Sequence, residues 1–240
     1  MSTTALPSRP WPQFMLGMRA FVPLAISIAA YGIVWGVLAG QRGMSVLEVA
    51  LMSGAVFAGA SQFVALDMWE PGNLPILSIV VTTAIVNLRF LLMSGTLYPL
   101  LAPLPRSRSL LVVAGVSDEQ WALTMGEMRE GRGSIAFLLG TTLACWLSWF
   151  ISTIGGRLAG SLIDDPTKYG FDFAFTATFL ALLLGMWKGR IDIVPWAVAA
   201  LSAIAAARLI EGNWYIIIGG LAGSFAGAVV ETMKERRDVA

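Results

Sequence analysis

Apolar residues along this chain come in long, nearly unbroken runs. They show neither the alternation of a half-buried strand nor the narrow stripe of a surface helix. The runs fall at roughly 20–39, 46–66, 74–101, 110–128, 134–158, 171–187, 193–210 and 214–231, with short polar connections between them. A helix needs about 20 apolar residues to cross a bilayer. The pattern therefore predicts an all-α, polytopic integral membrane bundle of about six to eight transmembrane segments. Residues 1–240 form one transmembrane domain on this reading, with a cytoplasmic N-terminal segment at 1–19 and a cytoplasmic tail at 232–240. The opening "MSTTALPSRPWPQFMLGMRA" carries Arg9 and Arg19, as a signal peptide's n-region does. The run after it is too long for a signal h-region, so it reads as a retained first helix.

Composition agrees. The chain has 240 residues, 57% hydrophobic and only 13% charged, with mean hydropathy +0.74. A soluble domain carries about a quarter charged residues. Net charge is +1, so there is no basic field for nucleic acid. The single cysteine, Cys145, lies in an apolar run and excludes an intrachain disulfide. Histidine is absent, which rules out His-ligated metal, a Ser-His or Cys-His pair and a histidine proton relay. No metal or cofactor is expected.

Charge also bears on topology. Cations cluster at Arg9/Arg19, Arg106/Arg108, Arg129/Arg132, Lys188/Arg190 and Lys234/Arg236/Arg237. Eight simple crossings leave Arg106/Arg108 outside and put the acidic loop "DMWEPGN" inside, against the positive-inside trend. If 46–66 and 110–128 instead dip in and return, every cluster falls inside and the acidic loop outside. Both arrangements keep both termini cytoplasmic. Trp11, Trp69, Trp187, Trp196 and Trp214 near segment ends fit an interfacial belt. Gly32/Gly36/Gly40 and Gly219/Gly223/Gly227 form stripes that let helices approach closely, within the chain or toward a partner.

Two local signals fall on the same two segments. "SVLE", Ser45 to Glu48, is a capping box that starts the second segment, and it makes Glu48 a cap before it makes it a ligand. "SDEQ", Ser117 to Gln120, repeats the spacing after "LLVVAGV", with Asp118 and Glu119 in the dipole-favoured first turn. A start signal inside an apolar run predicts a helix that ends near Gly115 and restarts at Ser117, the kind of break that transporters use to bring backbone groups to a site. The alternative is an interfacial helix opening in water at Ser117.

A charge at membrane depth costs about 2.5–3.5 kcal/mol on insertion scales and needs a partner. The third segment offers one in "NLR", Asn87 to Arg89. Residues two apart on a helix point about 200° apart, so Asn87 and Arg89 cannot share one cavity without unwinding. One assignment pairs Arg89 with Asp118 or Glu119 and turns Asn87 to a lumen; the reverse stays open. The small residues of "SGAVFAGASQF", with Gly59, Ser61 and Gln62, would leave room for a solute beside them.

"SGAVFAGASQF", "NLRFLLMSGTLYP" and "SDEQWAL", in that order and spacing, resemble the AzlC-type large subunit of the branched-chain amino acid export family. The likeness runs from about residue 20 to 230, with its specific motifs in the N-terminal half. It departs at Trp121, where Tyr or Phe is expected. The resemblance implies a transporter of a bacterial inner membrane that exports branched-chain amino acids, sometimes methionine, on the proton motive force. It also implies a small AzlD-type membrane subunit as partner; a homo-oligomer stays open.

A zwitterionic aliphatic solute suits these residues. Asp118 or Glu119 would accept its ammonium with help from Asn87 and Gln62, and Arg89 or helix-start amides would bind its carboxylate. Without histidine, proton coupling falls to Asp118 or Glu119. The rivals are an intramembrane enzyme, for which neither a His base nor a second Asp at depth is present, a non-transporting scaffold, and a carrier or channel for another small solute.

Overall fold

The computed structural model describes residues 10–160, 189–210 and 214–238, with the isolated positions 180, 184 and 187. The run expected at 171–187 lies outside the described residues, apart from those positions. The described elements are all helical: α1 (Pro10–Gln41), α2 (Val46–Leu51), α3 (Gly59–Asp67), α4 (Ile76–Thr96), α5 (Tyr98–Leu101), α6 (Arg106–Ala114), α7 (Asp118–Arg129), α8 (Ile135–Gly160), α9 (Ile193–Leu209) and α10 (Trp214–Asp238). Among them, Pro10–Gln41, Ile76–Thr96, Ile135–Gly160, Arg190–Leu209 and Trp214–Lys234 are long and apolar enough to cross a membrane.

α1 starts at Pro10, about ten residues before the expected run at 20–39, so the polar stretch after residue 9 is helical too. Pro10 and Pro12 fall in the first turn, where N–H groups lack intrahelical partners anyway, and Pro23 lies inside the helix. Trp11 stacks on Phe14 at 5.6 Å.

Described residues within Met1–Pro75 and Val86–Ala174 form one compact unit, and those within Ile76–Ile85 and Phe175–Ala240 a second. The first unit is built on α1 and α8. A Cβ on Gly17 would lie 2.2 Å from the Phe137 carbonyl oxygen; on Gly36, 2.1 Å from that of Thr153; on Gly156, 2.2 Å from that of Ile33. Contact positions rise together along both helices, so α1 and α8 run parallel with their backbones touching. Without a hydrophobic drive in lipid, such close packing is what holds helices together. The first glycine stripe is thus used within the chain. In the second unit, Gly219 and Gly223 of α10 lie against Ala203 and Ala199 of α9, and Gly227 against Pro195, so the second stripe is also spent within the chain. Trp187 and Trp196 meet edge to face at 4.9 Å.

Gly36→Val is expected to lower the melting temperature in detergent sharply, because overpacking typically costs about 1–3 kcal/mol or more where backbone cannot yield. Gly155→Ala, where a Cβ meets nothing within 4 Å, is expected to leave it unchanged.

Both motif-bearing segments double back. Residues 46–67 leave from the end of α1 and return to it: Arg42 Nη1 donates to the Asp67 carbonyl at 3.2 Å, its Nη2 stands 3.6 Å from the Asp67 carboxylate, and Gly43 lies against Pro71. α8 ends there as well, where Arg157 Nε donates to the Met44 carbonyl at 2.6 Å. Residues 106–129 leave and return at the other end, where α8 begins. One buried cluster there joins Met93, Leu97, Leu101, Val116 and Leu138, with Leu104, Val112, Met125 and Met128 packed around it. These paths match the second of the arrangements considered from sequence.

Candidate functional site

The first doubled-back segment opens on the expected capping box. Ser45 N–H donates to Glu48 Oε2 at 2.7 Å, and Glu48 N–H donates to Ser45 Oγ at 3.2 Å; Glu48 is a cap. A π-helical turn, Met52–Val56, follows α2. Phe57 then adopts a left-handed conformation, φ 40° and ψ 51°, which is uncommon for a non-glycine residue. α3 starts anew at Gly59 without a side-chain cap.

α8 receives this break. Trp146 Nε1 donates to the Gly54 carbonyl at 3.1 Å, satisfying a group that the π turn would otherwise leave short of a partner. A Cβ on Gly54 would lie 3.3 Å from the Phe150 ring, and one on Gly59 3.4 Å from that of Trp149. Small residues here let a broken backbone sit on aromatic side chains. Gln62 is fully buried: its Oε1 accepts from Trp149 Nε1 at 2.9 Å and its Nε2 donates to Ser53 Oγ at 3.4 Å.

The second segment breaks where "SDEQ" indicates. α6 ends at Ala114 and α7 starts at Asp118, with Ser117 extended at φ −119° and ψ 180° in a capping box with Gln120. Gln120 Oε1 accepts from Ser117 N–H at 2.9 Å and also contacts its hydroxyl. Gln120 Nε2 donates back to the Gly115 carbonyl at 3.1 Å. Ser117 Oγ donates to Glu119 Oε2 at 2.5 Å and lies 4.0 Å from Cys145 Sγ on α8. A Cβ on Gly115 would meet the Thr142 methyl at 2.9 Å.

α4 joins the segments without unwinding; it is α-helical from Ile76 to Thr96. Asn87 and Arg89 therefore point apart and take different partners. Asn87 Oδ1 accepts from Ser61 Oγ on α3 at 2.7 Å. Arg89 Nη2 stands 3.0 Å from Asp118 Oδ2 on α7, with both side chains about half-exposed. Trp121 Nε1 adds a bond from α7 to Thr96 Oγ1 at 2.8 Å. Of the carboxylates left open by the sequence, Asp118 takes Arg89, and Glu119 caps locally through Ser117. Gln62 turns to α8 and Ser53.

The geometry thus brings Ser61 to Asn87 and Arg89 to Asp118, on separate faces of one helix, and seats Gly59 and Gln62 on α8. α3 and α7 both begin at breaks, presenting the positive ends of their dipoles. Sequence reasoning missed Ser53, Thr142, Cys145, Trp146 and Trp149. The tryptophans carried a signal: they lie mid-run, away from any interface, where a buried indole N–H requires an acceptor.

The family model described as AzlC protein matches residues 23–163, more than half of the chain. The chain belongs to the AzlC family. The match takes in most of α1, both broken segments and α8, which is the architecture just described. This AzlC chain is 26% identical over 234 residues to the inner membrane protein YgaZ of Escherichia coli K12, covering 95% of each. It is 24% identical over 220 residues to the branched-chain amino acid transport protein AzlC of Bacillus subtilis 168, covering 90% of this chain and 84% of that one. A membrane protein of Archaeoglobus fulgidus is 31% identical over 180 residues, 74% of this chain and 77% of its own. No solved structure matches. The chain is a polytopic membrane protein of a transport family.

Proposed function

We propose that this protein is the carrier subunit of a branched-chain amino acid exporter, driven by protons, in a bacterial inner membrane with both termini cytoplasmic. The substrate class is carried by the name of the Bacillus subtilis relative, a branched-chain amino acid transport protein. The mechanism draws on the polar pairs flanking α4. Asp118, bonded to Arg89, accepts either a proton or the solute's ammonium. Protonating it removes one side of the ion pair and frees Arg89 for a carboxylate, which links proton entry to solute binding. Ser61, Asn87 and Gly59 supply polar and backbone groups beside the first break. Gln62 holds that break to α8, and Glu119 holds the second. A small AzlD-type subunit completes the exporter, and methionine, unbranched but of similar length, is a second substrate.

Radiolabelled leucine, methionine and a non-amino-acid control, followed by counterflow in proteoliposomes with and without the small subunit, test this. Leucine and methionine are expected to exchange and the control to stay out. Exchange only with the subunit present would make it obligatory. No exchange of either amino acid in any arrangement would sink the proposal in favour of a scaffold or a carrier for another solute. Asp118→Asn is expected to remove the dependence of efflux on the pH gradient.

A further inference from the structure

The doubled-back segments meet α8 about one turn apart but are held there unequally. At the first break, Gln62 has partners at both ends and Gly54 has Trp146. At the second, three buried polar atoms are left over, whereas beside the first the unmet atom among the described residues is Trp35 Nε1 of α1, against Trp149. Thr142 Oγ1 is buried and without a hydrogen-bond partner, although its methyl touches the Gly115 position. Other α8 hydroxyls bond back to carbonyls of their own helix: Thr141 to Leu138 at 2.8 Å, Ser148 to Ala144 at 2.7 Å, Ser152 to Trp149 at 3.0 Å. Thr142 does not. Arg89 Nε, beside Asp118, is likewise buried without an acceptor. Further along α7, Thr124 is fully buried and its hydroxyl has no partner.

An unmet buried polar group is costly to the state that holds it. Three of the five such atoms among the described residues lie where residues 106–129 rest on α8 and α4, the others being Gln13 Oε1 and Trp35 Nε1 on α1, so that closed seat is the less stable of the pair. Arg89 Nε can only donate, so the group it lacks is an acceptor. A hydroxyl and a guanidinium edge flanking one helix break suit a carboxylate.

We propose that the 106–129 segment is the side of the site that opens, and that the carboxylate of the solute takes the hydrogen bonds which Thr142 Oγ1 and Arg89 Nε lack when it is closed. The identity of the solute as an aliphatic amino acid rests on the function proposed above; the carboxylate requirement rests on the unmet donors. Thr142 becomes a solute-contacting residue, and α8 a wall of the site.

Thr142→Val removes the hydroxyl and keeps the shape; Thr142→Ser keeps the hydroxyl. For Thr142→Val, KM for leucine counterflow is expected to rise at least tenfold with kcat within twofold, and Ser is expected to restore it. Melting temperature in detergent should hold or rise, because the lost hydroxyl had no partner. 4-Methylpentanoate, a carboxylate without the ammonium, should compete with leucine in the wild type and lose most of its effect in Thr142→Val. Leucinamide, an ammonium without the carboxylate, should compete equally in both. Thr124→Val should leave KM alone and lower kcat, by stabilising the closed seat. A wild-type KM in Thr142→Val, or a melting temperature several degrees lower, would overturn the inference. Lack of leucine exchange by the wild type would instead count against the proposed function. The melting arm, with 4-methylpentanoate as the stabilising probe, would then decide whether Thr142 binds carboxylates.

Discussion

Arg89→Ala should reduce leucine efflux at least a hundredfold in proteoliposomes containing equal amounts of folded protein. The size of the effect separates a structural role from a ligand role. Both members of the Arg89–Asp118 pair are about half-exposed, and exposed ion pairs typically contribute about 0.2–1 kcal/mol. As a clamp between α4 and α7, the pair could therefore account for a loss of several-fold. A hundredfold loss corresponds to about 2.7 kcal/mol and requires that Arg89 also meet the solute or the translocated proton. The swap Arg89→Asp with Asp118→Arg sharpens the comparison. A clamp works with its charges exchanged, so efflux would return. A carboxylate site needs the Arg89 guanidinium, with its buried Nε, on α4, so efflux would stay low. Recovery in the swap would reduce Arg89 to a positioning residue.

The sequence exposed these features unevenly, for local reasons. Capping boxes use side chains three residues apart, so Ser45–Glu48 and Ser117–Gln120 were visible in a few letters, and with them the start of α2 and the second break. The opposed directions of Asn87 and Arg89 follow from helix geometry alone, and the structure keeps them opposed. The first break had no such signature. Nothing in "AVFAG" marks Phe57 as left-handed, and a bulky residue resists that conformation. Tertiary contacts impose it: Trp146 on Gly54, Trp149 on Gln62 and aromatic rings against Gly54 and Gly59. Those partners lie about 90 residues away in the chain, beyond any local pattern. The glycine stripes were legible as close packing, but whether they faced the chain or a partner depended on contacts that periodicity does not carry.

Opposed sidedness of the doubled-back segments is the sharpest consequence of the architecture. In a Cys145→Ser background, single cysteines at Gln41 and Glu70 should react with an impermeant maleimide from one side of the membrane. Those at Ala102 and Glu130 should react from the other. Eight simple crossings would split each couple across the bilayer, so the outcome is all-or-none. Element lengths favour return over crossing. Residues 46–56 rise about 16 Å, α3 and α6 about 14 Å each and α7 about 18 Å at 1.5 Å per residue. Each is about half of the ~30 Å hydrocarbon core, so each break falls near the middle, where irregular backbone survives only if protein covers it. α8 does so, through Trp146 and Trp149 at the first break and Thr142 and Cys145 at the second. The charges then sort themselves. Since α1 and α8 run parallel, Arg19 before the first apolar run shares a side with Arg106, Arg108, Arg129 and Arg132, and Asp67 and Glu70 take the opposite side, where Arg42 is paired with Asp67 and Arg157 is bonded to the Met44 carbonyl. That is the positive-inside distribution which eight crossings could not give. Labelling of Gln41 and Glu70 from different sides would break this agreement and, with it, the placement of both helix breaks at one depth on α8.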